Sequence, residues 1–272
     1  MEQKEFPNFK EERNEKQENK IWTMLCGVFM AVFAVLIFVV LSRVVFYANF
    51  KYYPVRGTSM QPTINPDITS TVVQDGVFAQ YNASIDYDDI IIIQLPNATN
   101  TIIKRVIAKE GDKVCIRRYP EYNNEYRVSV IRNGTNTIEV LQEDYIKSYT
   151  DWSRNPSESV NYNNYIVEYE NTFYNTYLQM GESDIHVSME ADGGLYYQVM
   201  ANHIFYLGDN RAVSKDARAN GTTSESGVVG VVKIIVRNVV DADTGIALWW
   251  EKFKAVITYF FDEIGNIFAW SY

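Results

Sequence analysis

The sequence predicts a mostly β protein. It reads as a membrane-tethered, β-sandwich- or barrel-like domain with an inserted variable β subdomain, one N-terminal transmembrane helix and a C-terminal amphipathic helix. Three observations predict this. Ile21–Leu41 is uncharged, apolar and about as long as a bilayer crossing requires. Short β-type runs follow it, separated by Gly, Asn and Asp clusters. The strand–helix alternation that builds a parallel sheet is missing. Of 272 residues, 47% are apolar and 22% charged, a composition with enough apolar surface for a core.

Composition also excludes several functions. A net charge of −9 opposes a nucleic-acid partner, because neutralising phosphates needs a basic surface. Two cysteines, Cys26 and Cys115, provide no disulfide framework, and only two histidines, His186 and His203, accompany them. That inventory builds neither a Cys/His zinc site nor a Ser-His-Asp triad, so no metal and no other cofactor is expected. Both histidines read as structural or surface residues.

Residues 1–20 are dense in charge and amide and read as a solvated tail. The membrane helix is placed at 21–42, with Trp22 as an interface anchor. Its apolar stretch exceeds the 7–15 residues usual in a cleavable signal sequence. Five basic residues precede it (Lys4, Lys10, Arg13, Lys16, Lys20) and three follow closely (Arg43, Lys51, Arg56). Positive-inside counting therefore puts the N-terminus in the cytoplasm and the remainder outside.

A β-rich domain is expected over 50–240. Its clearest strands are Thr71–Val73, Asp89–Gln94, Thr101–Ala108, Val128–Ile131, His203–Leu207 and Val228–Val240. Residues 117–200, rich in Tyr, Asn, Glu and Ser, read as the inserted variable subdomain and carry no usable motif. Residues 245–272 form the amphipathic helix. Glu251, Thr258, Asp262 and Asn266 share one stripe; Trp249, Phe253, Val256, Phe260, Ile264 and Ile267 lie opposite. Two readings of it stay open: a helix lying in a lipid interface, and a helix packed on its own domain.

Three segments could carry chemistry. Gly57-Thr-Ser59-Met-Gln-Pro62-Thr63 puts a serine beside glycine before a proline turn, compatible with an exposed nucleophile. Thr101–Ala108 holds Lys104 and Arg105 inside an apolar β run. A buried ammonium must be paired, neutralised or functional. The alternative is an edge strand whose cations blunt strand pairing, and taken alone the run favours that alternative. Alternation gives Lys104 the face of Ile102 and Val106 and gives Arg105 the face of Ile103 and Ile107, without saying which is buried. In Gly208–Gly221, Asp216 and Arg218 could form a charge-assisted pair and Ser214 could hold a nearby amine.

In this order behind an apolar helix, these segments resemble the bacterial type I signal peptidases, peptidase family S26. The resemblance rests on Ser59-Met-x-Pro62-Thr63, on Asp88-Asp89-Ile-Ile, on Lys104-Arg105-Val with Gly111-Asp112, and on Gly208-Asp-Asn-Arg211-x-x-Ser214-x-Asp216-x-Arg218. It covers the membrane helix and roughly 53–237. It implies a membrane-bound serine endopeptidase that removes signal peptides from exported preproteins. Ser59 would be the nucleophile and Lys104 the general base. The Ser59 N–H would bind the oxyanion. Ser214 would orient the lysine amine, and Asp216 and Arg218 would form a supporting ion pair. Gly57 stands where many members have an oxyanion-hole serine, so a backbone N–H must serve there. Ala217 replaces a usual serine, and Ala219-Asn220 a usual aromatic.

The resemblance further implies a single-pass protein of the bacterial plasma membrane, with its catalytic domain extracytoplasmic. Its partners would be preproteins and membrane lipid, not nucleic acid. Lysine rather than histidine as base sets it apart from the endoplasmic-reticulum relatives. The competing reading is an inactive membrane-anchored β-domain that binds partners at the cell surface. Only the peptidase reading needs Ser59 and Lys104 together.

Overall fold

The computed structural model describes residues 9–66, 73–96, 98–123, 125–146, 187–237, 239 and 246–269. The chain divides into two units, Met1–Phe50 and Lys51–Tyr272. In the first, helix α1 spans Phe9–Asn49. It starts earlier and ends later than the apolar run alone suggests. Lys, Glu, Arg and Gln in 10–20 are good helix formers, and neither Gly nor Pro interrupts 42–49. Gln17–Asn49 is long and apolar enough to cross a membrane.

The second unit holds two antiparallel sheets. The strands are β1 (Phe50–Arg56), β2 (Val73–Gln80), β3 (Ile90–Gln94), β4 (Thr101–Lys109), β5 (Lys113–Tyr119), β6 (Glu125–Ile131), β7 (Ile138–Val140), β8 (Val187–Met189), β9 (Leu195–Gln198), β10 (His203–Leu207), β11 (Thr223–Ser224) and β12 (Val228–Val236). Helix α2 spans Ala217–Asn220 and α3 spans Ile246–Ala269. The first sheet runs β1-β2-β12-β3-β4-β10-β11 and the second β7-β6-β5-β9-β8. Residues 71 and 72 of the first expected strand lie outside the described residues, as do His186, 147–186 of the expected insertion and 270–272.

Alternation explains where the core sits. On β3, Ile91 and Ile93 join a large cluster that includes Val114 and Ile116 of β5 and Val128 and Val130 of β6, so it is shared by the two sheets. Ile90 and Ile92 point the other way, into a second cluster with Val55, Met60, Ile64, Val77 and Ile103. Apolar packing on both faces is why this strand reads as an unbroken isoleucine run. Met60 and Ile64, the two anchors of the turn that follows β1, are 1% and 0% exposed.

One corner joins the sheets. Between β4 and β5, the buried Asp112 carboxylate accepts from the N–H groups of Lys109 and Asn133 and from Arg132 Nη1. Satisfying these donors at one buried carboxylate fixes the angle at which the chain passes from one sheet to the other.

Candidate active site

Lys104 sits on β4, which pairs with β3 on one side and β10 on the other. The edge-strand explanation for its charge therefore fails. Both cations in the run are buried, Lys104 at 3% and Arg105 at 8% exposure, and they have different partners. Arg105 grips Asp209 in a bidentate pair, Nε to Oδ1 at 2.8 Å and Nη2 to Oδ2 at 2.6 Å, and donates to Asp88 O at 2.7 Å. Among the described residues Lys104 has no bidentate carboxylate of that kind. Its Nζ lies 3.0 Å from Ser59 Oγ and 2.7 Å from Ile103 O.

Burial is the largest influence on that amine and lowers its pKa from 10.5 to about 8. Asp216 and Asp209 favour the ammonium and limit the fall, while Arg218 adds to it.

The turn carrying Ser59 is held from three directions. Met60 and Ile64 fix it by apolar burial. Asn65 fixes it by hydrogen bonds: Nδ2 donates to Val55 O and Gly57 O at 3.0 Å each, and its backbone and side chain exchange bonds with Asp75. Asn65 adopts φ +56°, a left-handed conformation that asparagine tolerates better than most residues. The loop after β10 supplies the third hold. Asn210 N donates to Ser59 O at 3.0 Å and Asn210 Nδ2 to Thr58 O at 3.1 Å. Ser59 itself is half-buried. Its N–H donates no hydrogen bond among the described residues. Gly57, at φ +87°, has open space where a side chain would project.

The third segment folds around Asp216, which is fully buried and caps α2 by accepting from Arg218 N. Its carboxylate also accepts from Arg218 Nε at 2.8 Å, Arg218 Nη2 at 3.0 Å and Gly208 N at 3.0 Å. Burial alone would push this carboxyl up. The Arg218 charge and these donors outweigh burial and hold it below the usual carboxylate range. Ser214 Oγ is buried and makes no hydrogen bond of good geometry among the described residues, although it lies close enough to help keep Asp216 ionised. Among the described residues the partners of Lys104 Nζ are Ser59 Oγ and Ile103 O; Ser214 Oγ is not one of them.

Gly208 is the point of closest approach. A Cβ there would fall 2.5 Å from Ser59 O and 2.5 Å from Ser214 Cβ. Gly208→Ala is expected to destabilise the domain by about 2–3 kcal/mol through overpacking. Displacing Ser59 by a fraction of an ångström should also lower turnover about tenfold or more. Denaturant melts and steady-state rates check both, and wild-type values for both would refute the tight fit.

Sequence reasoning assigned no role to Arg105, Asp209, Asn65, Asp75 or Glu143. An Asn-Pro turn signal at Asn65-Pro66 was present in the sequence. Glu143 had no signal at all, yet it forms a bidentate pair with Arg211, both side chains 1% exposed. Arg211 Nε in turn donates to Gly208 O at 3.0 Å.

The structure thus brings a buried amine and a hydroxyl to hydrogen-bond distance on a two-sheet antiparallel scaffold. The profile of the family described as signal peptidase, peptidase S26, matches residues 25–237, and the chain belongs to that family. It is 27% identical over 209 residues to signal peptidase I of Streptococcus pneumoniae serotype 4, covering 76% of this chain and 89% of the relative. It is 24% identical over 221 residues to signal peptidase I U of Bacillus subtilis strain 168, covering 81% and 90%. A crystal structure of a signal peptidase I from Enterococcus faecalis V583 matches at 25% identity and a TM-score of 0.32, covering 55% of this chain and 97% of that one. The apolar α1 fits a membrane-anchored member of the family.

Proposed function

We propose that the protein is a membrane-bound serine endopeptidase that cleaves N-terminal signal peptides from exported preproteins, with Ser59 as nucleophile and Lys104 as general base. The observation that carries this reading is the 3.0 Å separation of Ser59 Oγ and Lys104 Nζ, with the amine buried. A neutral Nζ that donates to Ile103 O turns its lone pair to the Ser59 hydroxyl. It takes the hydroxyl proton as Oγ attacks the scissile carbonyl. The Ser59 N–H and the backbone at Gly57 stabilise the tetrahedral oxyanion. The new ammonium then protonates the departing amine, and C–N cleavage leaves an acyl ester on Ser59. In the second half, Lys104 deprotonates a water, which attacks the ester and restores the serine. Asp216 and Arg218 hold the loop that backs this pair, and Ser214 packs beside them.

The tether fits the task. Positive-inside counting places the N-terminus in the cytoplasm and the domain outside, where a preprotein's cleavage site emerges. Anchoring the domain there raises its effective concentration against that site. The substrate would lie extended beside Ser59, held by main-chain pairing, with small apolar residues fitting at positions −3 and −1.

The test is proteolysis by the full-length protein in vesicles. A preprotein should be cut once, after a small residue, as read by the mass of the mature N-terminus; an uncut preprotein overturns the reading. The pH profile supplies a second test. Only the neutral amine accepts a proton, and burial sets its pKa near 8, so kcat/KM should fall about tenfold for each pH unit below that value. A flat profile down to about pH 5 would remove Lys104 from the base role.

A further inference from the structure

Helix α3 packs against β12 with the wrong face outward for a soluble protein. Leu248, Glu251, Lys252, Ala255, Val256 and Tyr259 are partly covered. They fall on one side of the helix at 100° per residue. Glu251, Thr258 and Asp262 line a cleft shared with Lys233 and Arg237. The opposite side carries Trp249, Trp250, Phe253, Ile257, Phe260 and Phe261, between 39% and 69% exposed. These six span about a third of the helix circumference without a polar residue among them. Trp249, Trp250 and Phe253 also stack on one another, with ring centroids 5.2–6.3 Å apart. A continuous exposed apolar stripe of this size marks a surface meant to be covered.

The chain path says what covers it. Lys252 Nζ sits 3.6 Å from the centre of the Tyr52 ring on β1. Tyr52 is three residues beyond Asn49, the last residue of α1. Three residues span at most about 10 Å, so the exit of the apolar helix and the first turns of α3 stay neighbours however the two units are oriented. Trp22 and Tyr47, both exposed, bracket the apolar part of α1 about 37 Å apart at 1.5 Å per residue, the spacing of the two interfaces of a bilayer.

We propose that α3 is an interfacial membrane helix, lying in the headgroup boundary on the side where α1 emerges and burying its Trp/Phe stripe in lipid. This rests on the reading of α1 as a membrane span. It gives the domain a second hold on the bilayer, which would fix the height and tilt of the catalytic turn above it. Residues 246–269 carry three acidic and two basic side chains, so apolar burial rather than attraction to anionic lipid supplies the affinity, and the contact should be insensitive to salt.

The test uses full-length protein in vesicles with nitroxide labels placed shallow or deep on the lipid chains. One variant keeps only Trp249 and Trp250 (Trp22→Phe, Trp152→Phe, Trp270→Phe); a second keeps only Trp22. The α3 pair should be quenched at least about twofold more by the shallow label than by the deep one, at low and high salt alike. Quenching of Trp22 without quenching of the α3 pair overturns the proposal and leaves α1 as a span. Failure of both overturns both readings. Emission of the α3 pair that is shielded and lipid-independent, with cross-linking between copies, assigns the stripe to a second copy of this chain and also overturns the proposal.

Discussion

Ser59→Ala and Lys104→Met are each expected to lower kcat by roughly 10⁴-fold or more, since a nucleophile and its base act as one unit. Their effects on stability should differ. Ser59→Ala removes one half-buried hydroxyl and should change stability by less than about 1 kcal/mol. Lys104→Met should make the folded domain more stable at neutral pH. The native amine is buried with its pKa near 8 against 10.5 in the open chain, a gap worth about 3 kcal/mol against folding. Losing the bond to Ile103 O returns about 1 kcal/mol of that, leaving a net gain of about 2 kcal/mol.

The sign can be checked by pH. Below about 8 the lysine is protonated in both states, and the penalty on the wild type is fully present. Between about 8 and 10.5 the unfolded chain binds more protons than the folded one, so wild-type stability rises with pH. The advantage of Lys104→Met should therefore shrink across that window. Denaturant titrations at the two ends measure it. A variant less stable than wild type at neutral pH, or an advantage constant with pH, would contradict a buried, depressed lysine. Near-normal turnover by either variant would end the dyad assignment.

Glu143→Ala is expected to destabilise the domain by about 3–5 kcal/mol, because it strips a buried guanidinium of its bidentate carboxylate. Arg211 donates to Gly208 O, and Gly208 packs against Ser59 O and Ser214, so the loss should reach the turn that carries Ser59. Replacing both partners with apolar residues of similar size (Glu143→Met with Arg211→Met) should recover most of the stability, since no unpaired charge then remains inside. Thermal and denaturant melts of the three variants check this. A single-variant loss under about 1 kcal/mol would show that the pair is not needed.

The exposed stripe on α3 and the buried ion pairs were legible to different degrees. The stripe on α3 was visible in the sequence as Trp249, Phe253 and Phe260 at helical spacing. Which side would face the domain was not, because amphipathicity fixes two faces and not their direction. The sheet at Val228–Val236, which takes the polar edge of the helix, settles that. Similarly, the acidic Asp216 beside Arg218 was legible as a pair, whereas Glu143 was not, since its partner Arg211 lies 68 residues away.

Lys104 and Arg105 show the division most sharply. Local pattern determined that this chain has an apolar anchor helix, a β-rich domain and a serine and lysine in ordered segments, because hydropathy length, strand alternation and motif order are properties of neighbouring residues. Tertiary structure alone decided that β4 is an interior strand, that Arg105 is neutralised by Asp209 while Lys104 faces a hydroxyl, and that burial lowers the pKa of the amine. Desolvation and ion pairing depend on which distant segments cover a group, and that is fixed only when the sheets close around it.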